Sequence, residues 1–139
     1  MTMEAKDLMI GDWVRRKSKI KSRVTELRSA PRVYPVNTEH GEVNPRTELE
    51  PIPITGEVLE KNGFEKTSDS PVCSEYRLCV VDYCEDYLFV KLRKRVDIVQ
   101  VYYYPDMSST KIEYTKKEMS VHEIQHAMRM CGIEKEIAL

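Results

Sequence analysis

Between Glu75 and Thr115 apolar side chains return at every second position through successive runs, a period that commits the segment to extended strands with one buried face. Tyr76, Leu78 and Val80 alternate with Arg77, Cys79 and Val81, then Leu88, Val90 and Leu92 with Phe89, Lys91 and Arg93. Val96 to Tyr104 is a third strand and Lys111 to Thr115 a fourth, with turns at Asp82 to Asp86 and Pro105 to Ser109. The expected product is an antiparallel meander with its apolar side covered by a helix.

Met119 to Gly132, MSVHEIQHAMRMCG, is that helix. At about 100° per residue, Val121, Ile124, Ala127, Met128 and Cys131 share one arc, while His122, Gln125, His126 and Arg129 fall opposite. Ser120 as N-cap and Glu123 three residues on form a capping box, and Met119 and Ile124 stand where a hydrophobic staple would. Gly132 followed by apolar Ile133 is the matching stop.

His122, Glu123 and His126 also spell H-E-x-x-H, which in zinc proteases sets two imidazoles beside a glutamate on one helical face. A zinc-dependent hydrolase built on His122 and His126 needs a third ligand and an open coordination position. The metzincin extension fails at Arg129 and Gly132. Arg129 repels a cation, Glu134 and Glu136 follow too closely, and only His40 remains to approach from elsewhere. The histidines are therefore expected to be a solvated flank, with no catalytic residue, metal or cofactor. A Gly-rich phosphate loop, a nucleophile elbow and a Cys/His dyad are absent from the sequence.

The first fifty residues read as short strands with turns between them, the pattern of a small SH3-like barrel. Ile10 to Val14 opens it through a Gly-Asp turn, with Trp13, the single tryptophan, as core anchor. Arg23 to Leu27 and Arg32 to Val36 follow as strands, and Asn37 to Asn44 as a loop around His40-Gly41. Glu48 to Ile54, with two prolines, is an extended joint. Beyond it Thr55 caps a short helix, Gly56 to Asn62, which turns Val58 and Leu59 inward, is closed by Gly63 and is plugged by Phe64. Glu65 to Pro71 reads as a polar loop. The chain as a whole is expected to be α+β, with residues 1–50 as the SH3-like module and 51–139 as helix, antiparallel meander and C-terminal helix.

Charge separates the same two parts. Eight cations between Gly11 and Tyr34 (Arg15, Arg16, Lys17, Lys19, Lys21, Arg23, Arg28 and Arg32) stand against Asp12 and Glu26, although the whole chain carries only −1. That stretch, with Trp13 or Tyr34 for stacking, is the candidate nucleic-acid contact. A second run, Lys91, Arg93, Lys94 and Arg95, lies near Tyr102, Tyr103 and Tyr104, so that cations and aromatic faces share a sheet surface. The other expectation is a protein-interaction or oligomerisation module that recruits its partner along an exposed strand edge. With 139 residues there is room for one ordinary core or two small ones and none for a cofactor domain. No apolar run approaches a membrane span and no secretory signal opens the chain, so the cytoplasm is the expected location. Cys73, Cys79, Cys84 and Cys131 lack C-x-x-C spacing and suit a reducing compartment.

At Glu48 to Phe64, ELEPIPITGEVLEKNGF, and at Ser120 to Ile137, SVHEIQHAMRMCGIEKEI, the chain resembles a family of small uncharacterised proteins abundant in gut Bacteroidetes and often found among phage-like or mobile genes. That family has an opening segment like Leu8-Met9-Ile10-Gly11-Asp12-Trp13-Val14, a central E-x-x-P-I-P-L-T-x-E-x-L followed by Gly-Phe, and a C-terminal helix beginning V-H-Q-L-Q-N. The resemblance spans both modules and implies no particular activity. Its pattern matches His122 but has Gln and Asn where this chain has Glu123 and His126, which implies that a zinc pair is not a family feature.

Overall fold

The computed structural model describes residues 3, 7–27, 36–81, 86–104 and 111–139. It is α+β with antiparallel strands, and it divides into two compact units: Met1–Pro53 with Ser120–His122, and Ile54–Met119 with Glu123–Leu139.

The first unit is a five-stranded antiparallel sheet. Its strands are β1 (Trp13–Arg16), β2 (Lys21–Leu27), β3 (Val36–Thr38), β4 (Gly41–Val43) and β5 (Leu49–Glu50), in the order β4-β3-β2-β1-β5, with one helical turn, α1 (Pro45–Glu48), before β5. Alternation sends Val14, Val24, Val36, Val43 and Leu49 to one side, where they are buried with Leu8 and Met3. The chain enters through the expected Gly-Asp turn, in which Gly11 has φ 91° and the Asp12 carboxylate accepts the Met9 N–H at 2.7 Å. Trp13 departs from expectation. Val14 faces the core, so the pleat turns the half-buried indole to the other side, where the Arg23 guanidinium lies 4.7 Å from its ring centroid. The segment Asn37 to Asn44 also departs, because β3 and β4 form a hairpin over it with Thr38 opposite Gly41. Residues 28–35, which carry the expected strand Arg32 to Val36 up to Pro35, lie outside the described set, and β3 begins at Val36.

In the second unit Thr55 accepts the Val58 N–H at the start of α2 (Gly56–Lys61), and Gly63, at φ 87°, ends it. Phe64 N–H then reaches the Leu59 carbonyl at 3.0 Å and Gly63 N–H the Glu60 carbonyl at 3.2 Å, the two bonds of a Schellman stop, with Phe64 buried. Gly56 is required for a second reason. A methyl group there would lie 2.2 Å from the hydroxyl of Tyr76, a buried side chain with little room to retreat. Gly56→Ala is therefore expected to destabilise the fold by about 1–3 kcal/mol, read as a lower midpoint in denaturant.

A five-stranded meander follows: β6 (Glu65–Asp69), β7 (Cys73–Val81), β8 (Asp86–Arg93), β9 (Ile98–Tyr103) and β10 (Ile112–Lys117), in the order β10-β9-β8-β7-β6. In β7 and β8 the parity is the expected one, with Tyr76, Leu78, Leu88 and Val90 buried on one face, where Val99, Val101 and Tyr103 of β9 join them. The polar loop expected at Glu65 to Pro71 is instead mostly an edge strand. Every residue of β6 is exposed, so it carries no apolar alternation, yet its backbone pairs with β7. Asp69 helps to fasten it, accepting hydrogen bonds from Lys94 Nζ and Ser74 Oγ, each at 2.7 Å. Those bonds, Lys94 first, hold the Asp69 carboxyl down to about 2 from its ordinary 3.8. A carboxylate depressed on folding stabilises above its unfolded value and stops doing so as pH falls through its folded one. Protection of the β6 amides, taken relative to their intrinsic exchange rate at each pH, is thus expected to fall between about pH 4 and pH 2, with the Asp69 carboxyl signal titrating at the lower end.

The C-terminal helix, α3 (Val121–Met130), has Ser120 at the N-cap position and buried Met119 and Ile124 at the staple positions. Gly132 at φ 74° closes it with the same pair of bonds, Ile133 N–H to Met128 at 2.9 Å and Gly132 N–H to Arg129 at 3.0 Å. Ala127 and Met130 of this helix line a cavity with Val101, Ile112 and Tyr114 of the sheet, on the face opposite Tyr102. No helix among the described residues is long and apolar enough to cross a membrane.

Candidate nucleic-acid interface

The face of the second sheet that alternation leaves out of the core gathers most of its aromatic side chains. Cross-strand register sets Phe89 of β8 opposite Tyr102 of β9 and opposite Arg77 of β7 on its other side. In the same way Lys91 stands between Glu75 and Gln100, and Tyr102 faces Glu113 of β10. Directly opposed residues share a face, so these side chains form one surface. The Phe89 and Tyr102 rings are parallel within 8° with centroids 4.9 Å apart. Tyr87 lies 6.1 Å from Phe89 at a tilt, and Tyr104 stands edge-on to Tyr102 at 6.4 Å. The row thus runs across β8 and β9.

Cations border it. Arg77 sits 4.7 Å from the Tyr87 centroid, and Lys91 and Lys111 each 5.4 Å from that of Tyr102. With Arg93 and Lys117 this face carries, among the described residues, five cations against the three carboxylates Glu65, Glu75 and Glu113. Glu75 accepts the Tyr102 hydroxyl at 3.2 Å and pairs with Lys91 at 3.5 Å. Burial, and after it the Glu75 charge, pushes the Tyr102 phenol well above the ordinary tyrosine range, so it stays neutral and donating. Of the sequence expectations for this run, Lys91 and Tyr102 do meet. Tyr103 turns to the buried face, and Lys94 and Arg95 belong to the turn after β8. The alternation with Leu78, Leu88 and Val90 already sets Arg77 and Phe89 on this face, but neither they nor Tyr87 stood among the candidate site residues.

The basic segment of the first unit is only partly one surface. Arg15 pairs with Glu50 at 2.7 Å and Lys19 with the same carboxylate at 2.8 Å, which lowers the Glu50 pKa, Lys19 contributing most. Lys21, opposite Arg15, and Arg23, over Trp13, lie on that side. Arg16 is turned away and donates to the His40 carbonyl at 2.7 Å, while Lys17 is exposed in the turn after β1. Arg28 and Arg32 lie outside the described residues.

The H-E-x-x-H string is not the wet flank expected of it. His122, Glu123 and Gln125 are only 5%, 7% and 8% exposed, and His126 is half-buried, so on this helix only Arg129 and Met130 are exposed. A wheel divided into one buried and one solvated half fails for a helix whose first turns are enclosed. Ser120 Oγ lies 2.8 Å from His122 Nδ1, and the Glu123 carboxylate is held by Lys116 Nζ and by the Tyr114 hydroxyl at 3.3 Å. A glutamate tied to an ammonium is poorly placed to take a proton from water. No three or more His, Cys, Asp or Glu side chains among the described residues are grouped to hold a metal.

A Ser/His contact does occur in the first unit, between Ser22 Oγ and His40 Nδ1. Ser22 is fully buried, so its hydroxyl cannot meet a substrate and the contact fastens the hairpin turn. The cavity beneath α3, of about 40 Å³, is far below the roughly 300–1,000 Å³ of small-molecule sites. Cys73, Cys79 and Cys131 are free thiols, and Cys84 lies outside the described residues. No protein-family model matches the chain, and neither a curated protein nor a solved structure matches it.

Proposed function

We propose that this protein is a non-catalytic binding module that holds single-stranded nucleic acid on the outer face of its second sheet. The observation that carries this is the parallel Phe89–Tyr102 pair at the middle of that face, extended by Tyr87 and Tyr104 and bordered by Arg77, Lys91 and Lys111. Aromatic rows on an antiparallel sheet stack with bases of any sequence, and neighbouring cations meet the phosphates. A duplex keeps its bases stacked inward and out of reach of such a row, so a single strand is the ligand of choice.

The first unit, read as a small SH3-like barrel, supplies additional phosphate contacts through Lys21, Arg23 and the Glu50-tethered Arg15 and Lys19. Shared fold alone does not assign that role; the clustered cations support it. A cytoplasmic location accords with such a ligand.

Fluorescence anisotropy with labelled oligothymidine and with a duplex of equal length, each at low and moderate salt, tests the proposal. Micromolar or tighter binding of the single strand is expected, falling with salt at a logarithmic slope of about −0.7 per phosphate neutralised. Absence of binding at low salt, indifference to salt, or equal affinity for the duplex would overturn it.

A further inference from the structure

We propose that the protein self-associates through β10, two copies pairing these strands antiparallel about a two-fold axis at Thr115. β10 closes one side of the sheet, and among the described residues no strand pairs with its outer edge. Such an edge presents unpaired N–H and C=O groups that template another strand. The opposite edge is blunted: β6 is wholly polar and exposed, and its ladder slips between Lys66 and Ser68. β10 keeps six consecutive residues in unbroken register with β9. Beside it stand apolar side chains in contact with water, Ile112 and Tyr114 each 37% exposed and Met130 74% exposed.

Charge complementarity selects both the occupant and the register. Centred on Thr115, the pairing sets Glu113 against the partner's Lys117 twice over. It also lays the stem of the partner's Lys116 against Tyr114, filling the open side of that ring. Centring on Tyr114 would oppose Lys111 to the partner's Lys117, and centring on Lys116 would oppose that lysine to itself. Both alternatives bring like charges together. Edge lysines ordinarily keep strands apart. Here Glu123 already engages Lys116, and Glu113, which pairs with Lys111 at 2.9 Å within its own chain, would in the pairing also face the partner's Lys117.

A two-fold axis perpendicular to the sheet leaves the same face outward in both copies. Two sheets of five strands then become one of ten, and the aromatic rows of the two copies share a side. Three strand spacings across and four residues along the strands, about 20 Å in all, would separate Tyr102 from its counterpart.

Sedimentation velocity of the full chain without nucleic acid, from micromolar to millimolar concentration, tests the pairing independently of ligand binding. The expected result is a 16.3 kDa monomer giving way to a species of twice that mass. Glu113→Lys and Lys117→Glu, each confirmed as folded by circular dichroism, are expected to weaken association about tenfold or more. The double variant Glu113→Lys/Lys117→Glu is expected to restore it. A monomer throughout the range overturns the proposal, as does a dimer indifferent to either single substitution or a double variant that is folded but stays monomeric.

Discussion

Tyr102→Ala is expected to weaken single-strand binding about 5- to 150-fold, the range that follows from the roughly 1–3 kcal/mol carried by one stacked base. The ring is one half of the parallel pair with Phe89, so its loss also strips that neighbour of its support. Tyr102→Phe separates stacking from hydrogen bonding, since it keeps the ring and discards only the bond to Glu75. It is expected to bind within about threefold of the wild type if the π surface is what the ligand uses. Phe89→Ala should match Tyr102→Ala, whereas Lys91→Ala should chiefly flatten the salt dependence, by somewhat less than one phosphate's worth. Equal binding by Tyr102→Ala and the wild type would place the ligand elsewhere. Circular dichroism and melting of each variant must accompany the titrations, because the face is also half-buried structure.

The largest effect on stability is expected at Leu88. It is fully buried on the central strand of the meander, between Leu78 on one side and Tyr103 on the other. Truncation to alanine removes three carbons from a site whose neighbours are fixed by strand pairing and cannot close around the gap. A loss of about 2–5 kcal/mol is expected, measured by denaturant unfolding. Leu92→Ala, four residues along the same face but half-buried, should cost less. A loss below about 1 kcal/mol at Leu88 would show that this face is loosely packed.

The meander was legible because its buried face repeats with period two, and Tyr76, Leu78, Leu88 and Val90 point inward as that pattern requires. The helix stops at Gly63 and Gly132 were legible for a similar reason, since a glycine followed by an apolar residue is a local signal. What stayed hidden had no such contrast. Glu65 to Asp69 is a strand by backbone pairing alone, and β3 and β4, at three residues each, are too short to show a period. Trp13 was misplaced by size: the largest apolar side chain suggested a core anchor, but the pleat gave that place to Val14. His122 and Glu123 were misplaced because their burial depends on what surrounds the helix, which the helical wheel does not contain. The aromatic face was half legible. Lys91 and Tyr102 could be associated by proximity, but placing Phe89 beside Tyr102 required the register between β8 and β9.

The position of Trp13 has an optical consequence. The chain has a single indole, on a strand of the first unit and beneath the Arg23 guanidinium, whereas Phe89, Tyr87 and Tyr102 belong to the second. Emission excited at the red edge therefore reports the first unit alone, and tyrosine ellipticity is weighted toward the second. Two melting curves recorded at those two wavelengths reveal whether the units unfold in one step or in succession, with no label attached.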